Sequence, residues 1–197
     1  MSIKLLGRKR VSPEESRAAA LLAARALLIQ EGAAAVTLQS VARVVGRTHA
    51  NLLHHFGSAA GLQRALAEDI ARTVSASIEG AIEQRRRGLG SERDVIDAMF
   101  DAFRREGAGE LIGWIALTRQ REALQPIVST IERIIRTMRA AGDPRPVDRM
   151  TLSLTLLAIG DSLVGEELAR ACNLGRETVR DLAIAQIEGI AGEALRD

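Results

Sequence analysis

The sequence predicts an all-α protein of about nine helices, and three observations carry that expectation. Hydrophobic residues make up 47% of the 197 residues while aromatics supply only 2%, with no tyrosine, so Leu, Ile, Val and Ala must build the core. Such a composition favours helix over sheet. Leu62, Leu66, Ile70, Val74, Ile78 and Ile82 stand in one row four residues apart, a sustained helical period. No stretch alternates apolar and polar residues as a half-buried strand would.

Taken in order, the elements announce themselves by their ends. Ser12-Pro-Glu-Glu15 reads as an N-cap, a first-turn proline and the partner of a capping box, opening a helix that Gly32 closes after Glu31. In the second helix Leu38, Val41, Ala42 and Val45 share a face, Gly46 supplies a sharp turn, and Thr48 caps a third helix in which Leu52 and Phe56 face inward. His49, Asn51 and His54 are then left pointing outward, a hydrogen-bonding rather than a solubilising face. Two short helices about a tight turn, the second polar on its outer side, read as a helix-turn-helix whose second helix enters the DNA major groove. Gly57-Ser58 caps the long fourth helix, which ends at Arg85-Arg86-Arg87-Gly88, a run read as a solvated end favoured by the helix dipole. Ser91 through Asp94 opens a fifth helix carrying Val95, Ile96, Met99, Phe100 and Phe103, and Gly107-Ala-Gly109 breaks it. A shorter helix bears Trp114 and Leu117. The next has Pro126 in its first turn, and after the Asp143–Pro146 loop two helices follow, at about 147–171 and 176–195.

Charge is distributed unevenly. Residues 1–58 hold eight Lys/Arg against three Glu, a balance of +5, and the remainder carries −3 of the whole-chain +2. A basic front on a mildly acidic body suits a polyanionic partner. The single cysteine, Cys172, forms no internal disulfide and suits a reducing cytosol. No apolar run approaches the roughly 20 residues of a membrane span, and no export signal is read, so the expectation is a cytoplasmic protein with no membrane partner.

The segment from Val36 to Leu62 resembles the tetracycline-repressor (TetR) family of bacterial transcriptional regulators, through Thr37, Val41-Ala42, Gly46, Thr48, Leu52, His54, Phe56, Ser58 and Leu62 at the family's spacing. The resemblance implies a flexible basic arm over residues 1–11, a three-helix DNA-binding domain over 12–58, and a helical ligand-binding and dimerisation domain over 59–197. Two positions depart from the family: Leu53 replaces a tyrosine and Ala59 a lysine, both of which hold the phosphate backbone. Such contacts set affinity and register rather than sequence choice.

Carried over by position, the expected DNA contacts are Arg8, Lys9 and Arg10 of the arm, Thr37 and Gln39 at the second helix, Arg47, Thr48, His49, Asn51 and His54 around the third, and Ser58. Asn51 suits a bidentate contact to adenine, which discriminates by about 1–3 kcal/mol. His55 is expected to pack on the domain's own helices. Met99, Phe103, Trp114, Met138 and Asp161 are candidates for a ligand pocket, the first four as adaptable apolar surface and Asp161 as a carboxylate isolated in an apolar run flanked by Gly160 and Gly165. The glycines hint at close packing. Leu163, Leu168, Val179, Leu182 and Ile187 are candidates for a homodimer surface in a four-helix bundle.

Rival chemistries fit less well. A helical zinc site wants ligands three or four apart with a carboxylate or thiolate nearby, whereas His49 and His54 are five apart, His55 is adjacent to His54, and Cys172 is remote. No histidine lies outside this stretch to serve a catalytic serine or cysteine, and Gly88-Leu-Gly90 follows a helix rather than a strand. The expectation is no enzyme, no metal and no cofactor. The leading reading is a homodimeric repressor released from a palindromic double-stranded operator by a small apolar or amphipathic inducer. The alternative keeps the fold as a ligand-independent architectural or co-regulatory DNA-binding protein, and a cavity in the C-terminal half separates the two.

Overall fold

Ser12 accepts a hydrogen bond from the Glu15 amide while the Glu15 carboxylate accepts from the Ser12 amide, so the capping box starts α1 (Pro13–Glu31) where the sequence places it. The chain is seen in a computed structural model that describes residues 12–119 and 121–194. The basic arm, with Arg8, Lys9 and Arg10, lies outside the described residues. After α1 come α2 (Leu38–Val44), α3 (His49–Phe56), α4 (Ala59–Arg86), α5 (Glu92–Arg105), α6 (Ala108–Leu117), α7 (Gln125–Ala140), α8 (Val147–Ala171) and α9 (Thr178–Ala194). Among the described residues there are nine α-helices, two short 3-10 turns at Ala33–Ala35 and Arg121–Leu124, and no strand. The last helix starts two residues later than predicted.

Helix α4 is the axis of the molecule. At about 1.5 Å per residue its length is roughly 42 Å, and it touches α1 and α3 at one end and α5, α6 and α7 along the rest. Its apolar row is buried from Leu62 to Ile78, with Ile82 half-buried at the far end. Leu62 and Leu66 belong to the end that meets α1 and α3, so the small N-terminal head borrows core from the helix that follows it. A unit of this size buries too little surface to do without such help.

Ion pairs tie the layers together. Arg25 of α1 donates to Asp69 of α4 at 2.7 Å and to Glu106 at the end of α5. Arg180 of α9 is buried beneath α5, where it pairs with Asp97 at 2.8 Å and Asp101 at 2.6 Å and lies over the Phe100 ring. The arginine run at the end of α4 is not simply solvated: Arg85 is half-buried and paired to Glu92 of α5 at 2.8 Å. Arg87 reaches back to Glu83.

Close packing of glycine holds at one of the two predicted positions. Gly160 faces open space, whereas Gly165 is buried and a Cβ there would overlap the Asp161 carboxylate of its own helix; a Cβ on Gly109, which was not predicted, would overlap Ser162 of α8. Helices α6 and α8 therefore cross at van der Waals distance on Gly109. Gly109→Val should cost about 1–3 kcal/mol by overpacking. Urea unfolding would measure it, and Ser162→Gly in the same chain should recover part of the loss. A cost that Ser162→Gly leaves untouched would place the crowding elsewhere.

Candidate nucleic-acid interface and body cavity

The turn between α2 and α3 is closed by backbone. Gly46 takes φ +64, a conformation side chains disfavour, and the Arg47 amide returns to the Ala42 carbonyl at 2.9 Å. Three hydroxyls cap three successive helix starts: Thr37 accepts from the Ser40 amide, Thr48 from the Asn51 amide, and Ser58 from the Gly61 amide. Each cap satisfies one amide and leaves the remaining first-turn donors to outside acceptors, an arrangement suited to phosphate oxygens. Leu52 and Phe56 bury the inner face of α3, and Arg17 of α1 lies over the Phe56 ring at 5.0 Å, fixing α3 against α1.

The outer face is as polar as its spacing suggests. Thr37, Gln39, Arg47, Thr48, His49, His54 and Ser58 are all exposed. Asn51 is a correction: it is half-buried, and its Oδ1 is enclosed without a hydrogen-bond partner among the described residues. Helix α3 packs against α1, α2 and α4, so part of its flank is covered by neighbouring elements. His55 is half-buried, its ring edge-on to that of the adjacent Phe56. Leu53, in place of the family's tyrosine, is 42% exposed and offers no donor. Arg43 and Arg47 are exposed on the same motif, and among the described residues neither is held in an ion pair, so both are available to a phosphate.

The body encloses a separate feature. Between α4, α5, α7 and α8 lies a cavity of about 80 Å³. The α4 row supplies one wall with Ile70, Val74 and Ile78, and Ile134 of α7 and Leu154 of α8 face it. Met99, Phe103 and Met138 line it as predicted, but Trp114 and Asp161 do not. Trp114 is half-buried on α6 two residues from Ile112, which does line the cavity, and two residues on a helix point nearly opposite ways. Asp161 lies about 9 Å along α8 beyond the last lining residue, Thr155, at the helical rise. It is buried beside Arg176, with the carboxylate and guanidinium 3.5 Å apart. The sequence reading missed Glu92 and the α8 threonines. Threonine at 151 and 155, on the face that carries Met150 and Leu154, was the available signal.

A second apolar surface runs along α8 and α9. Leu152, Leu156, Leu168 and Leu182 are each about three-fifths exposed, Leu163 is 44% exposed, and Val179 is half-buried. Ile187 is a correction. At 2% exposure it belongs to the core with Ala183, and no partner can reach it.

Residues 20–66 match the family model for bacterial regulatory proteins of the tetR family. No curated protein matches the chain. Among solved structures, the fold is similar to that of a protein described as a TetR-family transcriptional regulator from Rhodococcus sp., with a TM-score of 0.63, 19% identity, and 90% of this chain and 99% of that one covered. It is similar also to the superantigen PfiT, with a TM-score of 0.57, 21% identity and coverage of 91% and 97%. A tetR family transcription regulator from Shewanella sp. PV-4 aligns with a TM-score of 0.50, 18% identity and coverage of 87% and 95%. At these identities the likeness is one of fold, and one fold serves more than one task. A segment over residues 20–66 that matches the tetR family model thus sits within a helical architecture similar to that of these structures.

Proposed function

We propose that the chain is a sequence-specific DNA-binding regulator of transcription, acting as a homodimer and released from a palindromic operator when a small, mainly apolar ligand enters the body. The observation that carries this reading is the continuity of α4. The helix whose Leu62 and Leu66 support the head is the helix whose Ile70, Val74 and Ile78 wall the cavity. A ligand that repacks the cavity therefore acts on the element that orients the head. It does so only to the extent that it binds the DNA-incompetent arrangement more tightly, and the coupling is reciprocal.

In this reading residues 12–58 are the reading head and 59–197 the ligand and dimer domain. Gln39, His49 and His54 meet base edges, while Thr37, Thr48, Ser58, Arg43 and Arg47 meet phosphates. The arginines and the basic arm take over the grip that Leu53 and Ala59 lack. The exposed stripe of Leu156, Leu168 and Leu182, with Gly160 leaving open space beside it, is the self-complementary surface. One eight-residue helix reads only a few base pairs, and two on a twofold axis read an inverted repeat. The work is binding rather than catalysis, carried out in the cytoplasm without a cofactor.

Footprinting on the DNA upstream of its own gene is the direct test. The expected result is one protected inverted repeat with half-sites about one helical turn apart, roughly 34–36 Å. Even protection of any duplex would defeat the reading.

A further inference from the structure

The cavity continues toward a second, polar recess, and the two share walls. A cleft of about 350 Å³ lies at the far end of the body from the head, and Ile82 and Met138 line both it and the apolar cavity. Arg85, Arg86, Asp143 and Arg145 form its polar sides. Glu92 lines the cavity and is the link between them: one of its carboxylate oxygens is ion-paired to Arg85 at 2.8 Å and accepts from Arg145 at 2.9 Å.

We propose that this composite site takes a small amphipathic anion, a carboxylate on an apolar chain of roughly six to eight carbons, with its chain in the cavity and its head at Arg85 and Arg86. The proposal rests on the reading of the chain as ligand-responsive and deepens it by naming the ligand's chemistry. Size sets the chain. At about 10–15 Å³ per enclosed water, 80 Å³ corresponds to roughly six waters, the space of a short alkyl chain or a single ring. Its walls are mostly apolar, so an apolar occupant displaces water that has few partners.

Charge sets the head. Three guanidiniums meet two carboxylates here, and the carboxylates are already committed. Asp143 accepts from the Arg145 amide, Nε and Nη2, which holds its carboxyl below the usual range, so it stays ionised and satisfied. Glu92 is shared by two arginines. Among the described residues the donors are not committed to the same degree: Arg85 pairs with Glu92 through Nε, and Arg86 has a 3.8 Å approach to Glu83, half exposed to solvent. An entering carboxylate finds open guanidinium donors in a planar geometry that suits it. An entering cation finds acids already neutralised.

Calorimetric titration of the full chain with octanoate, octanol and octyltrimethylammonium tests this. Octanoate should bind at least tenfold more tightly than octanol, and the cation should not bind measurably. Arg85→Gln with Arg86→Gln should weaken octanoate by about tenfold and leave octanol unchanged. Ile134→Phe, or Ile78→Phe if the first lowers thermal stability, should weaken both by filling the cavity. Equal affinity for octanoate and octanol, tighter binding of the cation, no binding of octanoate, or octanoate binding indifferent to the cavity-filling change would each overturn the proposal. A shift assay on operator DNA separates it from the regulatory reading. Release by octanol alone overturns the anion and keeps the regulator, whereas octanoate that binds the cavity without releasing DNA keeps the anion and overturns the coupling.

Discussion

Replacing Leu156 and Leu182 together by glutamate should leave the helix content unchanged, turn the chain into a monomer, and lower operator affinity by at least about a thousandfold. Both side chains are about three-fifths exposed in the isolated chain, so charging them removes almost no packing from the fold. In a twofold interface the same changes bring four carboxylates into a surface that otherwise excludes water, where like charges repel and lose hydration. A monomer reads one half-site and forfeits the other, and about a thousandfold is roughly 4 kcal/mol of the lost half. Sedimentation equilibrium and a shift assay on the footprinted repeat would measure the two effects. Ile187→Glu is the control with a different outcome, because that residue is buried in its own subunit and should unfold the chain rather than dissociate it. A double variant that still sediments as a dimer would place the interface on another face.

The contrast between Leu182 and Ile187 shows what the sequence carried and what it did not. The head was legible almost residue by residue because its determinants are local. Ser12, Thr37, Thr48 and Ser58 each cap the helix that follows, within three residues of chain, and Ser91 does the same for α5 in the body. The α4 row was legible for the same reason. Ile187 was misjudged although the spacing held a warning: five residues along a helix is a rotation of about 140°, so Leu182 and Ile187 cannot share a face. Trp114 failed differently. Side-chain chemistry suggested a pocket, but which face of α6 meets the cavity depends on where Gly109 lets it cross α8. Asp161 was legible as a buried charge, but its partner, Arg176, lies fifteen residues away on the turn before α9. The same limit hid the link between the head and the corner of the body.

Arg25→Met should destabilise the protein by about 2–3 kcal/mol and weaken the response of the head to whatever fills the body. Arg25 stands on α1, and its guanidinium donates to Asp69 and Thr73 of α4 and to Glu106 beyond α5. Its side chain and that of Asp69 are only 15% and 13% exposed. Losing the arginine leaves Asp69 with Arg72, a mostly exposed partner, so the cost falls below the roughly 3–5 kcal/mol of a fully buried pair broken on one side. The position gives the change its second effect. Glu106 and Gly107 form the corner between α5 and α6, and Gly107 at φ +76 lies against Leu28 and Ile29 of α1. Phe103 and Ala108, on either side of that corner, line the cavity. Repacking of Phe103 thus moves a corner that holds α1 by one polar tie and one apolar contact, in parallel with α4. A double-mutant cycle of Arg25→Met and Asp69→Asn by urea unfolding should return a coupling of about 1–2 kcal/mol. Hydrogen exchange on Arg25→Met should quicken in α1 to α3 more than in α8 and α9. Additive single effects with uniform exchange would show that Arg25 merely covers surface, and would leave α4 as the sole route between cavity and head.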